Sequence, residues 1–277
     1  MDWKCREEGI TVADITLGQY YKVDSCIHRL DARVKLFCVF SYMILLFFCN
    51  HILGFAAAIM ALASVILCSK VPVAFIMRGL KSILFLLLFS MVINGFCVPG
   101  EILWEWRFLR LTREGIYYAV VIGIRLVLLV LASSMLTLTT TPMALCDGLE
   151  KGLGFLKRVG IPVHEIAMMI SIALRFIPIL MEETNKIMKA QTARGASFHE
   201  GSLWKKLMSM LPLLIPLFIS AIRRAGELAN AMEARCYRGG EGRSKMYPLE
   251  YKSRDYIGYI MLVIYGAVIL FIWYRYK

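Results

Sequence analysis

Two short triplets hold the side chains best suited to recognition, Ala193-Arg194-Gly195 and Ala234-Arg235-Cys236, with their arginines 41 positions apart. Each closes a long helix-compatible stretch that is apolar early and amphipathic late. A guanidinium at a helix C-terminus sits at the negative end of the helix dipole, and its fixed fork of donors matches a carboxylate. A small following residue lets the chain leave the helix and turn without steric penalty. One such triplet means little. Two in matched settings read as paired plugs for partner proteins, and the alternative is a pair of solvated helix-end charges.

Other chemistry is hard to assemble from this chain. It has no GxxxxGK[ST] loop to cradle nucleotide phosphates. His164-Glu165 opens like HExxH, but Met168 stands where the second zinc ligand belongs. The other histidines (28, 51 and 199) are scattered, and the eight cysteines show no CxxC or Cys/His cluster. The expectation is no catalytic residue, no metal and no cofactor bound by this chain. The formal charge of +12 fits the cytoplasmic loops of a membrane protein better than nucleic-acid binding.

Long helices must present those arginines, and the composition says where the helices lie. The 277 residues are 59% hydrophobic with a mean hydropathy of +0.64, which points to a polytopic membrane protein. Five apolar runs, at about 34–50, 52–68, 82–98, 115–138 and 256–274, are long enough or nearly so to span hydrocarbon. This predicts a segment 1–33 with no cleavable signal, membrane helices within 34–138, a polar insertion at 139–240, a linker at 241–255 and a last span and tail at 256–277. Stretches 1–35, 69–81 and 139–255 carry six, three and 17 Lys/Arg. The opposite side carries Arg107, Arg110, Arg113, Arg275 and Lys277. Positive charge collects inside, so the N-terminus is expected in the cytoplasm and the C-terminus outside. The outer loop 99–114, with Trp104, Trp106 and Phe108, reads as an interfacial aromatic belt.

Two polar residues fall within these runs. Arg125 lies near mid-bilayer depth, where a charge costs at least ~2.5 kcal/mol and normally faces a bundle interior. It reads as a pivot bonded to carbonyls or to a carboxylate, with the insertion helices as one source, or else as a snorkelling side chain. Asn94 reads as a helix–helix hydrogen bond.

The insertion resolves into three helices. Thr141-Pro142 opens the first as N-cap and first helical residue, and Gly160 ends it. The second runs from Pro162 to about Gly195, with Arg175 and Pro178 in its middle. Its first half has span-like hydropathy, but that arginine and the following Glu182-Glu183 favour an interfacial or protein-buried helix. The third runs from about Ser202 to Tyr237 with a helical apolar period that includes Leu207, Leu211, Leu214, Phe218 and Ile222. Pro178 precedes Arg194 by 16 residues and Pro216 precedes Arg235 by 19, so the second lever is expected to be about one turn longer.

The stretch 15–36 (ITLGQYYKVDSCIHRLDARVKL), the block Leu174-Arg175-Phe176-Ile177-Pro178, the first triplet, and the run from Met232 to Gly240 around the second resemble the transmembrane T component (EcfT) of energy-coupling factor transporters. These are ABC-type vitamin importers of bacteria and archaea. The resemblance spans nearly the whole chain in the family's order. It implies an all-α, L-shaped membrane protein of about five spans with three coupling helices between the fourth and fifth. It implies a prokaryotic cell-membrane location and docking of Ala193, Arg194, Gly195, Ala234, Arg235 and Cys236 into two ATPase subunits, a heterodimer that holds the ATP and Mg. It also implies that the apolar face bearing Leu207, Leu211, Leu214, Phe218 and Ile222 seats a small membrane S component, which captures the vitamin. Asp31, Arg33, Arg125, Arg175 and Pro178 are then structural or signature positions. Two residues depart from the family pattern: Ala32 replaces a usual proline and Cys236 a usual glycine. Gly18-Gln19-Tyr20-Tyr21 leans toward the module shared among S components, with a dedicated cobalt or nickel importer as the alternative. A self-sufficient channel or carrier is the reading from a different class, though the spans show no inverted repeat.

Overall fold

The computed structural model describes residues 20–49, 51–106, 109–196, 203–239 and 250–275, with the side chains at 78, 82, 97, 102–111, 203, 205–207 and 209 outside that description. Residues 1–19, Phe108, the start of the third insertion helix near Ser202 and linker residues 240–249 lie outside the described residues. Among the described residues, eight α-helices follow in order: α1 Ala32–Phe47, α2 Ile52–Ser69, α3 Val73–Cys97, α4 Arg113–Thr139, α5 Pro142–Gly152, α6 Val163–Ala193, α7 Leu203–Ala234 and α8 Ser253–Arg275. A two-stranded hairpin, β1 Ile102–Trp106 with β2 Leu109–Thr112, joins α3 to α4. The chain forms two compact units, one of Gly18–Gly152 with Met246–Lys277 and the other containing Leu153–Lys245.

In the first unit, α1 begins where the Asp31 carboxylate accepts the Arg33 N–H at 2.9 Å, a side-chain cap that starts the helix without the proline expected at Ala32. The core gathers Tyr42 and Leu46 from α1, Phe55, Ala58 and Leu62 from α2, Leu128 and Ala132 from α4, and Ile269 from α8. The Tyr42 hydroxyl donates to the Ala58 carbonyl at 3.1 Å, satisfying a polar group that hydrocarbon would not. Contact between α3 and α4 depends on glycine: a Cβ at Gly115 would lie 2.6 Å from the Gly95 carbonyl oxygen, and one at Gly79 2.9 Å from Ser134 Oγ. Small residues of this kind let membrane helices approach closely.

Several expectations change here. The first apolar run does not stay helical to residue 50. At 16 residues, α1 reaches about 24 Å, short of the ~30 Å hydrocarbon core. α3 starts at Val73 rather than near 82 and bends by 56° between Val73–Lys81 and Ile83–Phe96. Among the described residues, four helices, α2, α4, α6 and α8, are long and apolar enough to cross a membrane, and bent α3 makes a fifth if its two parts count as one span. The 99–114 loop contains a hairpin, because Trp104, Trp106 and Phe108 alternate with Glu105 and Arg107, a pattern that favours pairing, and a paired backbone leaves fewer bare N–H and C=O groups near lipid. Asn94 bonds its own helix, donating to the Ser90 carbonyl at 2.8 Å, and does not bridge to another through that bond.

Arg125 has the pivot's bonding. Its Nη2 donates to the Cys49 carbonyl at 2.8 Å, and its guanidinium lies 5.6 Å from the Phe47 ring centre and 6.0 Å from that of Phe55. That carbonyl belongs to the α1–α2 turn. The carbonyls past the end of α1 carry the helix's negative pole, which suits a cation there.

At the boundary of the two units, the first insertion helix does not run unbroken to Gly160. α5 ends at Gly152, and a separate 3-10 helix Gly154–Val159 follows. Glycines on both sides of Leu153 make the intervening turn inexpensive. Thr141 does cap α5, its hydroxyl accepting the Ala144 N–H at 3.3 Å.

Candidate functional site

Two helices of nearly equal length carry the triplets. α6 has 31 residues with Pro178 inside it, and α7 has 32 with Pro212 and Pro216 inside it. They end in the same way. At the end of α6, Gly195 N–H donates to the Thr192 carbonyl at 2.9 Å and Ala196 N–H to the Gln191 carbonyl at 3.0 Å. At the end of α7, Cys236 N–H donates to the Glu233 carbonyl at 2.8 Å and Tyr237 N–H to the Met232 carbonyl at 3.1 Å. Both are Schellman motifs, in which a left-handed residue after the cap turns the chain back onto the last carbonyls. Each triplet therefore maps onto last helical residue, cap and left-handed residue, with arginine as the cap. Both arginines are exposed, and among the described residues neither side chain has a hydrogen-bond or ion-pair partner.

The left-handed position explains the glycine, and it makes Cys236 the exception. Gly195 has φ 89° and Cys236 φ 55°, a conformation that costs a side-chain-bearing residue roughly 1–2 kcal/mol. Cys236→Gly is expected to keep the cap and to change stability by less than about 1 kcal/mol, because relief of strain is offset by a more flexible unfolded chain. Cys236→Val, β-branched in the same conformation, should fray the last turn. Amide exchange at residues 234–237 reads both outcomes, and equal protection in the two variants would contradict this account.

The helices meet below these ends. Ile172, Phe176 and Leu180 of α6 line a cleft with Ala221, Ala225, Leu228, Ala229 and Met232 of α7. Alanines at every fourth position form a low ridge that lets α6 lie close. Beside the cleft, Arg224 pairs with Glu183 at 3.1 Å, both half-buried. A pair this exposed contributes about 1 kcal/mol or less, so apolar packing holds the helices and the ion pair sets their register. Glu183 precedes Arg194 by 11 residues, and Arg224 precedes Arg235 by 11. Each arginine therefore lies about three turns, or roughly 16 Å, beyond its half of the ion pair, although on α7 the cleft itself reaches Met232, three residues before Arg235. Measured from the ion pair the two levers are equal, and measured from Pro178 and Pro216 the second keeps its extra turn.

Neither the alanine ridge nor the Glu183–Arg224 pair figured among the expected site residues. A spacing of four among Ala221, Ala225 and Ala229 was the available signal. The amphipathic period of α7 divides between two roles. Its C-terminal half packs on α6, whereas Leu211, Leu214, Phe218 and Ile222 remain 45%, 54%, 67% and 58% exposed. The Leu207 side chain lies outside the described residues. Arg175 is exposed on α6. Asp31, Arg33 and Arg125 belong to the other unit. Burial pushes the Asp31 carboxyl up, but hydrogen bonds from Arg33 outweigh that and leave it below the usual carboxylate range. Among the described residues, no three His, Cys, Asp or Glu side chains converge as a metal site.

The model of a family described as cobalt transport protein (CbiQ) matches residues 24–247. The chain is 49% identical over 263 residues to the energy-coupling factor transporter transmembrane protein EcfT of Acidaminococcus fermentans, covering 95% of this chain and 98% of that one. It is 50% identical over 244 residues to EcfT of Ruminiclostridium cellulolyticum, covering 88% and 91%. To EcfT of Bacillus subtilis it is 41% identical over 257 residues, covering 92% and 97%.

Proposed function

We propose a function from one premise: this chain belongs to the cobalt transport protein (CbiQ) family and, within it, to the energy-coupling factor transporter transmembrane proteins, EcfT. It is a multi-pass membrane subunit of a transporter. Its role on our reading is mechanical. Arg194 and Arg235 dock into two cytoplasmic ATPase subunits that hold the ATP and Mg, and the exposed face of α7 seats a small membrane protein that captures a vitamin or related micronutrient. ATP-driven movement of the two ATPases would displace the helix ends and so reorient that captured protein. The N-terminus lies in the cytoplasm and the C-terminus outside, on the grounds of loop charge.

The observation that carries this reading is the repetition of one cap. Two packed helices end in the same Schellman motif, and each presents an exposed arginine whose side chain has no partner among the described residues, about three turns beyond its half of the ion pair. A solvated charge needs no such repetition. Chain purified from native membranes under mild detergent is expected to carry two ATPase subunits and one small membrane protein in fixed stoichiometry, identified by mass. Uptake by the chain alone in liposomes, without ATPases, would refute this reading in favour of a self-sufficient carrier.

A further inference from the structure

The stretch Leu153–Lys245 of the second unit interrupts the first, with crossings at its two ends, between residues 152 and 153 and between 245 and 246. Inside the first unit, the segments leading to both crossings are held by one stretch, residues 31–35. On the outgoing side, Lys35 is 8% exposed, and its Nζ donates to the Thr139 carbonyl at the end of α4 at 2.9 Å and to the His28 carbonyl at 3.1 Å. α5, which leads to the first crossing, lies so close to the start of α1 that a Cβ at Gly148 would sit 3.2 Å from the Ala32 carbonyl carbon and 3.3 Å from the Arg33 nitrogen. On the returning side, Asp255 is 2% exposed. It accepts the Asp31 N–H on Oδ1 at 2.9 Å and the Lys252 N–H on Oδ2 at 2.7 Å. The Arg33 guanidinium pairs with Asp31 at 2.8 Å and lies 4.2 Å from the centre of the Tyr251 ring.

Two cations and two carboxylates thus gather where both connecting segments converge, Arg33 paired with Asp31 and Lys35 and Asp255 bonded to backbone groups. Apolar packing would stabilise such a spot as well or better, because desolvating charges offsets much of their attraction. What a bonded polar network adds is a unique, stiff geometry. That property matters where a segment must pass on a displacement rather than yield to it.

We propose that residues 31–35 with Asp255 form a positioning anchor for both connecting segments, through which movement of the inserted unit reaches the membrane helices. This rests on the coupling role proposed above. The test uses the full chain assembled with its ATPase partners in phospholipid vesicles, with ATP as the probe and deuterium exchange as the readout. In the unsubstituted chain, ATP should change exchange in α6 and α7 and also in α1 and α8. With Asp255→Ala the change should persist in α6 and α7 but fall roughly fivefold or more in α1 and α8, with ATP hydrolysis held within about twofold. Asp255→Asn, which keeps one acceptor oxygen, should give an intermediate loss. If Asp255→Ala does not assemble, Asp255→Asn and Tyr251→Leu decide by the same measure. A full ATP-dependent change in α1 and α8 of the variants overturns the anchor, as does the absence of any such change in the unsubstituted chain. Failure of the ATPases to bind the unsubstituted chain is a separate readout; it overturns the coupling role, and the anchor falls with it.

Discussion

Charge reversal at both helix ends, Arg194→Glu with Arg235→Glu, is expected to strip the ATPase subunits from the purified complex while the chain itself stays folded. Both side chains are exposed and unpartnered among the described residues, so the fold loses little more than their favourable position at the helix C-termini, about 0.3–1 kcal/mol each. A desolvated charge pair at an interface behaves differently, since removing one partner costs about 2–5 kcal/mol and reversal adds repulsion. Two such sites together should weaken docking by a factor of a thousand or more, on the order of 4 kcal/mol at the least. The matched caps add a sharper expectation: each single reversal should lower ATPase retention by a similar amount. Pull-down from detergent with the ATPases quantified by mass, alongside the melting temperature of the chain alone, checks both parts. Full ATPase stoichiometry in the double variant would end the plug reading.

Much of this arrangement is legible in the sequence, for an identifiable reason. A helix stop is local information. Arginine followed by a residue tolerant of positive φ, after a long amphipathic run, specifies where each lever ends. Cys236 is the exception, since cysteine carries no such tolerance and its left-handed geometry emerges only from the hydrogen bonds around it. What the sequence hides is set at a distance. Glu183 and Arg224 are 41 residues apart, and in sequence they look like ordinary polar-face charges. The short extent of α1 is hidden as well, because hydropathy runs on through Phe48 and Cys49 while a carbonyl there is held by Arg125, 76 residues away. The break between α5 and the 3-10 helix lies in between. Gly152 and Gly154 mark it, but isolated glycines are tolerated within helices often enough that a helical pattern carries past them.

The exposed half of α7 gives the other large expectation: Leu214→Lys with Phe218→Lys should release the small membrane protein while leaving the ATPases bound. Leu214, Phe218 and Ile222 are four residues apart, so they form one line along the helix, and each is more than half exposed. Monomers rarely leave such a line bare. Full burial of each side chain in a partner would contribute about 1.5–3 kcal/mol, and a lysine in its place would also have to be desolvated. The pair should therefore lower retention by two to three orders of magnitude, about 3–4 kcal/mol. Phe218→Leu, which keeps an apolar side chain, should lose far less, about 1.5 kcal/mol or under. The α6 contact uses Ala221, Ala225 and Ala229, residues outside that line, so the crossing and both arginine caps should survive the double substitution. Lipid covering this face would produce a different pattern. The lysines would then depress membrane insertion and yield, and whatever protein assembled would still hold its small partner. Retention normalised to assembled chain separates these cases, and unchanged retention would show that the capture surface lies elsewhere.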